Sequence, residues 1–413
     1  MRLLAVVQRY GTEVAGGAEA FCRMVATGMV ERGHRVEVVT SRARSYQDWA
    51  DVYPAGDSEL DGVTVRRLSV RQPRMTRFFA PLNSRAMWGH QPSALTLQEA
   101  WLQAQGPDLD GLRPLLRRRA PAVDAVATFT YLYSTTAAAL TATAGAAPTV
   151  LHPTAHDEPP FWLPVFDRIL ALPTAFAWST EEERDLVWRR AGRRLPGAIM
   201  GIGTALGDGG DAERFRRRFS LGAAPYLLYT GRIDTAKAAD ELYEQFVAYV
   251  ERHPGTDLRL VMVGDPVLTL PEHPSVVVTG FVDDATRTDA VAGCLVMVVP
   301  SYLESFSMAL TEAWAQHRPA LVQGRSPVLA GQARRSQGAI AYRSFAEFEA
   351  AVELLGEQPA VAEALGGNGR LHVITRYSWD AVLSRYEALL ADAGRRHRQS
   401  QRRERSALDV TAN

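Results

Sequence analysis

Two stretches of this chain place charged side chains where a strand should give way to a helix. "PSYLESFSMALTEAWAQ" (300–316) follows the apolar run "CLVMVV", and its two acids, Glu304 and Glu312, stand eight positions apart among mostly small or apolar residues. The pattern predicts a strand ending near Pro300, a short loop, and a helix over 305–317. Glu304 then sits in the loop and Glu312 about two turns into the helix, roughly 12 Å along its axis. In open α/β sheets, ligands bind at the carboxyl ends of strands, where helix N-termini present free N–H groups. A ligand with hydroxyls at both ends and negative charge between them fits that layout. A nucleotide-sugar is such a molecule. Its sugar and ribose would each donate hydrogen bonds to one carboxylate, while the pyrophosphate meets the helix N-terminus.

The second stretch, "TGRIDTAK" (230–237), offers Arg232 and Lys237 at another strand–helix junction. Two cations there can meet a pyrophosphate and stabilise a leaving diphosphate. Glu304 and Glu312 cannot act as the paired carboxylates of a retaining glycosidase, which stand about 5 Å apart across one bond. Two decoys are set aside. "DLD" (108–110) imitates a metal-binding acid pair but falls in a predicted amphipathic helix, so no metal is expected. "GIGTALG" (201–207) imitates a dinucleotide fingerprint, yet "GDGGDAERF" follows where an apolar helix should open.

Short apolar strands alternating with helical patterns must position these residues. They predict an α/β protein of two Rossmann-like, doubly wound domains. In the first, "RLLAVV" (2–7), a glycine loop and a helix over 18–32 precede "RVEVVT" (35–40). Further strands are expected at 62–68, 124–129, 148–153 and 174–179, with helices near 95–104 and 108–119. "STEEER" (179–184) has the spacing of a helix start. Residues 201–222, rich in Gly and charge, read as an interdomain linker. The second domain, 223–375, repeats the alternation: strands at 226–233, 258–264, 275–281, 294–301, 319–323 and 339–343, with helices over 237–252 and 305–317.

The bulk numbers agree with this division and exclude other classes. A chain of 413 residues exceeds what one core usually supports. Basic and acidic residues balance at 46 each, which gives no reason to expect nucleic acid as a partner. Cys22 and Cys294 are far apart in apolar surroundings and read as reduced core residues of a cytoplasmic protein. No window approaches the roughly 20 apolar residues of a membrane-spanning helix. The arginine-rich end, 393–413, reads first as a disordered tail. Its second reading is weak contact with an anionic membrane, peripheral to the inner face.

"YTGRIDTAK" and "PSYLESFSMALTEAWAQHRPALV" resemble the donor-site motifs of the family 4 retaining glycosyltransferases, which have the GT-B fold with two domains facing an interdomain cleft. The second carries that family's E-x7-E pattern through Glu304 and Glu312. "GGAEAFCRMVATGMVERGHRVEVVT" is similar to the family's first helix and second strand, and "YSWDAVLSRYEALL" (377–390) to its C-terminal helix. The resemblance implies that the 1–200 domain is the acceptor side and that a helix over 376–392 packs back on it. Glu312 would hold the ribose and Glu304 the donor sugar, with the N–H groups of Ser305, Phe306 and Ser307 near sugar and phosphate. Arg232 and Lys237, beside Gly231, would neutralise the diphosphate. Phe281 and Val282, after Gly280, would line the base pocket. Gly16 and Gly17 would bring backbone close to donor and acceptor. His156 would touch the donor sugar, with His152 the competing choice. Ser307 and Ala238 stand where the family commonly has glycine, and both narrow the backbone's freedom.

The expected reaction is front-face transfer of a hexose-type sugar to a hydroxyl acceptor, whether glycan, lipid-linked or small molecule. It retains configuration, closes the two domains, and uses no metal or other cofactor. A nucleotide-sugar 2-epimerase and a non-catalytic nucleotide-sugar-binding subunit are the alternatives. Acceptor recognition is expected within residues 40–135.

Overall fold

A computed structural model of the chain describes residues 1–14, 16–88, 93–207 and 209–411, with side chains as far as residue 406. The chain divides into two compact units: Met1–Met200 together with the chain from Leu383 onward, and Gly201–Val382. Each is built on its own sheet.

In the first unit the strands are β1 (Arg2–Val6), β2 (Arg35–Ser41), β3 (Gly56–Leu60), β4 (Val63–Leu68), β5 (Ala125–Phe129), β6 (Thr149–His152), β7 (Ala175–Trp178) and β8 (Gly197–Ile199). Their order is β3-β4-β2-β1-β5-β6-β7-β8. The central strands read as unbroken apolar runs because helices cover both faces. Leu4, Val6, Val39 and Val126 turn towards the helices Leu112–Arg119 and Ser134–Thr143. Phe129 and His152 turn to the opposite layer, where Phe21 of the helix Gly17–Glu31 and Tyr386 of the helix Trp379–Thr411 meet the His152 ring.

The second unit carries β9 (Tyr226–Thr230), β10 (Arg259–Val263), β11 (Val276–Gly280), β12 (Val296–Val299), β13 (Ala320–Gln323) and β14 (Ala339–Tyr342), all parallel, in the order β11-β10-β9-β12-β13-β14. Leu227, Leu260, Met262, Val298 and Leu321 form its core with the helices Ala239–Arg252 and Phe345–Glu357.

Several local expectations are corrected. The sheet of the first unit has an antiparallel edge: β3 pairs with β4 across Asp61–Gly62, both at positive φ (52° and 75°). This is the backbone a two-residue hairpin needs, and the Asp–Gly dipeptide signals it. Residues 70–120 hold an additional helix at Thr76–Met87. Asp108 and Asp110 lie before the Leu112–Arg119 helix rather than in it. Leu109 bridges to Val70, and both acids face Arg71, at 3.7 and 3.3 Å.

The 201–222 stretch, expected as an interdomain linker, begins where the two units divide and contains a packed helix. Asp211 caps the helix Ala212–Arg218, Phe215 is buried, and Arg214 meets Asp289 at 2.5 Å, so its charges bind the second unit. The 393–413 tail is not disordered up to residue 411, because the helix Trp379–Thr411 continues through it. Asp392 pairs with Arg395 and Arg396 one turn on, at 3.1 and 2.5 Å, and no proline interrupts. Asp208 of the expected linker and residues 412–413 of the expected tail lie outside the described residues.

Candidate functional site

The strand order of the second sheet reverses between β9 and β12: β10 and β11 follow to one side, β13 and β14 to the other. That crevice, at the carboxyl ends of the strands, is where open α/β sheets take their ligands. The loops following both strands carry the residues singled out from the sequence.

After β9 the chain passes Gly231 and Arg232 and makes a tight turn, Thr235–Lys237. Asp234 organises the turn: its carboxylate accepts the Lys237 backbone N–H at 2.9 Å and meets the Arg232 guanidinium at 3.0 Å. Tyr229 donates its hydroxyl hydrogen to the Arg232 carbonyl at 2.5 Å, anchoring the same loop to the sheet. Gly264, at the end of β10, permits the approach. A Cβ there would lie 1.9 Å from the Gly231 carbonyl oxygen, and φ is 144°. Any other residue would push the Arg232 loop off its neighbour.

After β12 the loop through Glu304 ends at Ser307, whose hydroxyl accepts the Leu310 N–H at 3.4 Å and caps the helix Met308–Ala315. The helix therefore starts three residues later than the sequence suggests, and Ser305 to Ser307 form its approach. The Phe306 ring is buried against Tyr377, 5.0 Å between centroids, and its carbonyl accepts from the Gln332 side chain. Ser307 has φ 86° and Ala238 φ 51°. Both positions where the chain lacks an expected glycine thus keep a backbone that favours glycine.

The two loops meet. Lys237 Nζ donates to Glu304 Oε1 at 2.6 Å, the lysine side chain 34% exposed and the glutamate 12%. Glu312, further along the helix, pairs with Arg287 at 3.2 Å. Burial pushes its carboxyl above the usual range, with Arg287 pulling the other way. Within this unit the structure brings together Arg232, Lys237, Glu304 and the cap of a helix, with Glu312 on that helix. Helix N-termini keep N–H groups without an intrahelical partner, so cations and N–H donors converge beside carboxylates. Such a site can hold a polyanion flanked by hydroxyls.

Gly280 closes β11, the edge strand. Phe281 beyond it is 74% exposed and Val282 partly so. A cavity of about 780 Å³ opens on this edge. Ile233 and residues of the 266–278 stretch line it, including Leu268, Val276 and Val278, and neither Phe281 nor Val282 contributes.

In the first unit, Gly16 caps and Gly17 opens the helix Gly17–Glu31 after β1, and His156 stands on the loop after β6, all at the carboxyl edge of the sheet. A Cβ at Gly16 would lie 2.3 Å from Glu19 Oε2. Glu19 is buried and paired with the buried Arg9 at 2.5 Å. His156 is 30% exposed, with Nδ1 3.6 Å from Glu158, which accepts the Tyr131 hydroxyl at 3.0 Å. The adjacent Ala155 N–H donates to Glu183 at 2.7 Å, as does that of Ser179 at 2.5 Å, and burial raises the Glu183 carboxyl to about 7. His152 is a core residue. It is 2% exposed, stacked on Phe129 at 4.3 Å and hydrogen-bonded to Tyr386 at 3.1 Å, and burial lowers its pKa to about 3. It is closed to any ligand.

Sequence reasoning missed Tyr229, Asp234, Gly264 and Arg287. The spacing of Asp234 before Lys237 is that of a cap, and "VMVGD" ends its strand as "LYTGR" does, so two of the four carried a signal. Arg287 carried none, being an ordinary arginine on the helix Asp284–Gly293.

Residues 224–358 match the family model described as "Glycosyl transferases group 1". Over 221 residues, 48% of this chain, the sequence is 33% identical to a D-inositol 3-phosphate glycosyltransferase of Actinosynnema mirum, and it spans 50% of that relative's length. It is 26% identical to the glycogen synthase of Mycobacterium tuberculosis, over 98% of this chain and 97% of that one. Among solved structures, the sucrose-phosphate synthase of Thermosynechococcus elongatus matches with a TM-score of 0.68 and 16% identity, covering 95% of this chain and 98% of that one. Anabaena HepE in complex with UDP and glucose matches with a TM-score of 0.68 and 12% identity, covering 95% and 100%. The fold is GT-B, with two parallel-sheet α/β units.

Proposed function

We propose that the chain is a nucleotide-sugar-dependent glycosyltransferase of the retaining, family 4 type. The observation that carries this reading is the meeting of Lys237 and Glu304, 2.6 Å apart, beside the capped N-terminus of the Met308–Ala315 helix. It lies at the topological switch point of the second sheet, inside the stretch that matches the glycosyltransferase model.

The roles follow from the chemistry of each group. Lys237, Arg232 and the N–H groups of Ser305 to Ser307 take the diphosphate, and their positive field stabilises the charge that grows on it as the sugar leaves. Glu304 accepts hydroxyl hydrogens of the donor sugar, and Glu312 those of the ribose. Arg287 and Asp234 hold a carboxylate and a cation in register. The acceptor hydroxyl attacks from the face that the diphosphate leaves, and a phosphate oxygen takes its proton. The sugar therefore keeps its anomeric configuration. The first unit is assigned to the acceptor, with His156 touching the donor sugar and Gly16 and Gly17 giving backbone access. The UDP and glucose named with HepE make a UDP-hexose the first donor to try.

The test is release of nucleoside diphosphate from a panel of nucleotide-sugars, with the anomer of the released or transferred sugar read by NMR. Turnover of at least one donor with retained configuration is expected. Lys237→Ala should lose about 100- to 1,000-fold in kcat, the usual scale for one electrostatic donor. Full activity in that variant, or inversion at the anomeric carbon, would overturn the reading.

A further inference from the structure

The arginine-rich end of the chain takes no part in the proposed reaction, and the structure changes what it is. Residues 393–406 are helical and packed along one stripe. Ala393 and Gly394 are buried, His397 and Gln401 are half-buried, and Gln401 donates to the Gly145 carbonyl at 3.2 Å. The remaining positions face out. Arg395, Arg398, Arg402 and Arg405, spaced three, four and three apart, share one flank of the helix; Arg396 and Arg403 share the other. All six are exposed and span roughly 15 Å. Arg395 and Arg396 are answered by Asp392. Arg398, Arg402, Arg403 and Arg405 have no ion pair among the described residues, and the only acid within the run is Glu404.

Gly145 fixes where this helix lies. It stands in the turn between the Ser134–Thr143 helix and β6, at the amino edge of the first sheet. The same edge carries the exposed Arg117 and Arg118, which lead into β5, and Arg193 and Arg194, which lead into β8. Residues singled out for chemistry in this unit stand on the opposite, carboxyl edge. Arg117, Arg118, Arg193, Arg194, Arg398, Arg402, Arg403 and Arg405, none with an ion pair among the described residues, thus stand along one edge of this unit.

We propose that this edge docks the protein on an anionic lipid surface. The exposed part of residues 395–406 has no aromatic side chain to stack on a base and no apolar side chain to insert into acyl chains, so attraction to phosphate headgroups is the contact it can make. Each such arginine contributes on the order of a fivefold gain in membrane partitioning, and salt screens it. Docking does not depend on the transfer reaction and leaves the carboxyl edge free.

The test is sedimentation of the full chain with vesicles of phosphatidylcholine alone and of phosphatidylcholine with about a third phosphatidylglycerol, at low and high salt. Binding is expected only to the anionic vesicles and should vanish at about 0.5 M salt. Exchanging Arg398, Arg402, Arg403 and Arg405 for Gln should weaken it by on the order of 100-fold or more, and the same four exchanged for Lys should keep it. Melting temperature and donor turnover should stay unchanged in both variants, since these side chains touch neither core nor site. Equal binding to neutral vesicles would overturn the proposal, as would binding by the Gln variant equal to wild type. So would a preference for an RNA or DNA duplex over anionic vesicles at equal phosphate.

Discussion

Replacing Glu304 with glutamine keeps the side chain's shape, removes its charge, and deprives Lys237 of its partner. The Lys237–Glu304 pair, with side chains 34% and 12% exposed, is intermediate between a surface pair, worth at most about 1 kcal/mol, and a buried one, worth about 3–5 kcal/mol to break. A value of about 1–2 kcal/mol is reasonable. A diphosphate that recruits Lys237 must compete with Glu304 in the wild type and has no such competitor in Glu304→Gln. The variant should bind nucleoside diphosphate about 5- to 30-fold more tightly. It should nonetheless turn over its sugar donor about 10- to 100-fold more slowly, having lost a charged acceptor for a sugar hydroxyl. Isothermal titration of wild type, Glu304→Gln, Lys237→Ala and the double variant separates release of Lys237 from simple removal of a repelling charge. The second effect survives in the Lys237→Ala background and the first does not. A gain no larger with Lys237 present than without it, or weaker binding by Glu304→Gln, would refute the partner exchange.

Two further expectations concern the scaffold. His152 titrates near 3 in the folded chain, against 6.5 for the ordinary side chain, because burial disfavours its charged form. Between those values the unfolded chain binds a proton that the folded chain refuses, so stability falls on acidification by about 1.4 kcal/mol per pH unit below 6.5. His152→Phe keeps the stack on Phe129 and loses the Tyr386 hydrogen bond at neutral pH, but it should flatten this slope in urea titrations between pH 6.5 and 4. An unchanged slope would show that the ring charges freely. Ala238 has φ 51° and ψ 35°. A left-handed alanine costs about 1–2 kcal/mol, and glycine's looser unfolded chain returns about 0.4–1. Ala238→Gly should therefore raise the melting temperature by about 1–3 °C, and a lower value would mean that the buried methyl outweighs the strain.

The alternation of apolar runs made both sheets legible, because strands buried on two faces announce themselves as "LLAVV", "LVMV" and "LVMVV". The clustering of charges in the second unit was legible for a related reason: Arg232, Lys237 and Glu304 follow strand ends directly, and two of them meet. What stayed hidden depended on partners distant in sequence. Arg214 became part of a packed helix only through Asp289, and Glu312 acquired Arg287 from a neighbouring helix. The end of the chain was misread because six arginines resemble disorder by composition. Helix pairing through Asp392 and packing of Ala393 and Gln401 supply what composition cannot show. His152 and His156, four residues apart in one sequence motif, were separated only by burial.

The most direct measurement is a crystal structure of the chain soaked with nucleoside diphosphate. Phosphate density should lie within hydrogen-bond distance of Lys237 Nζ and of backbone nitrogens at residues 305–307, with the Lys237–Glu304 contact opened and the ribose at Glu312. Phosphates bound at the 201–207 turn, or anywhere with Lys237 still closed on Glu304, would contradict the assignment.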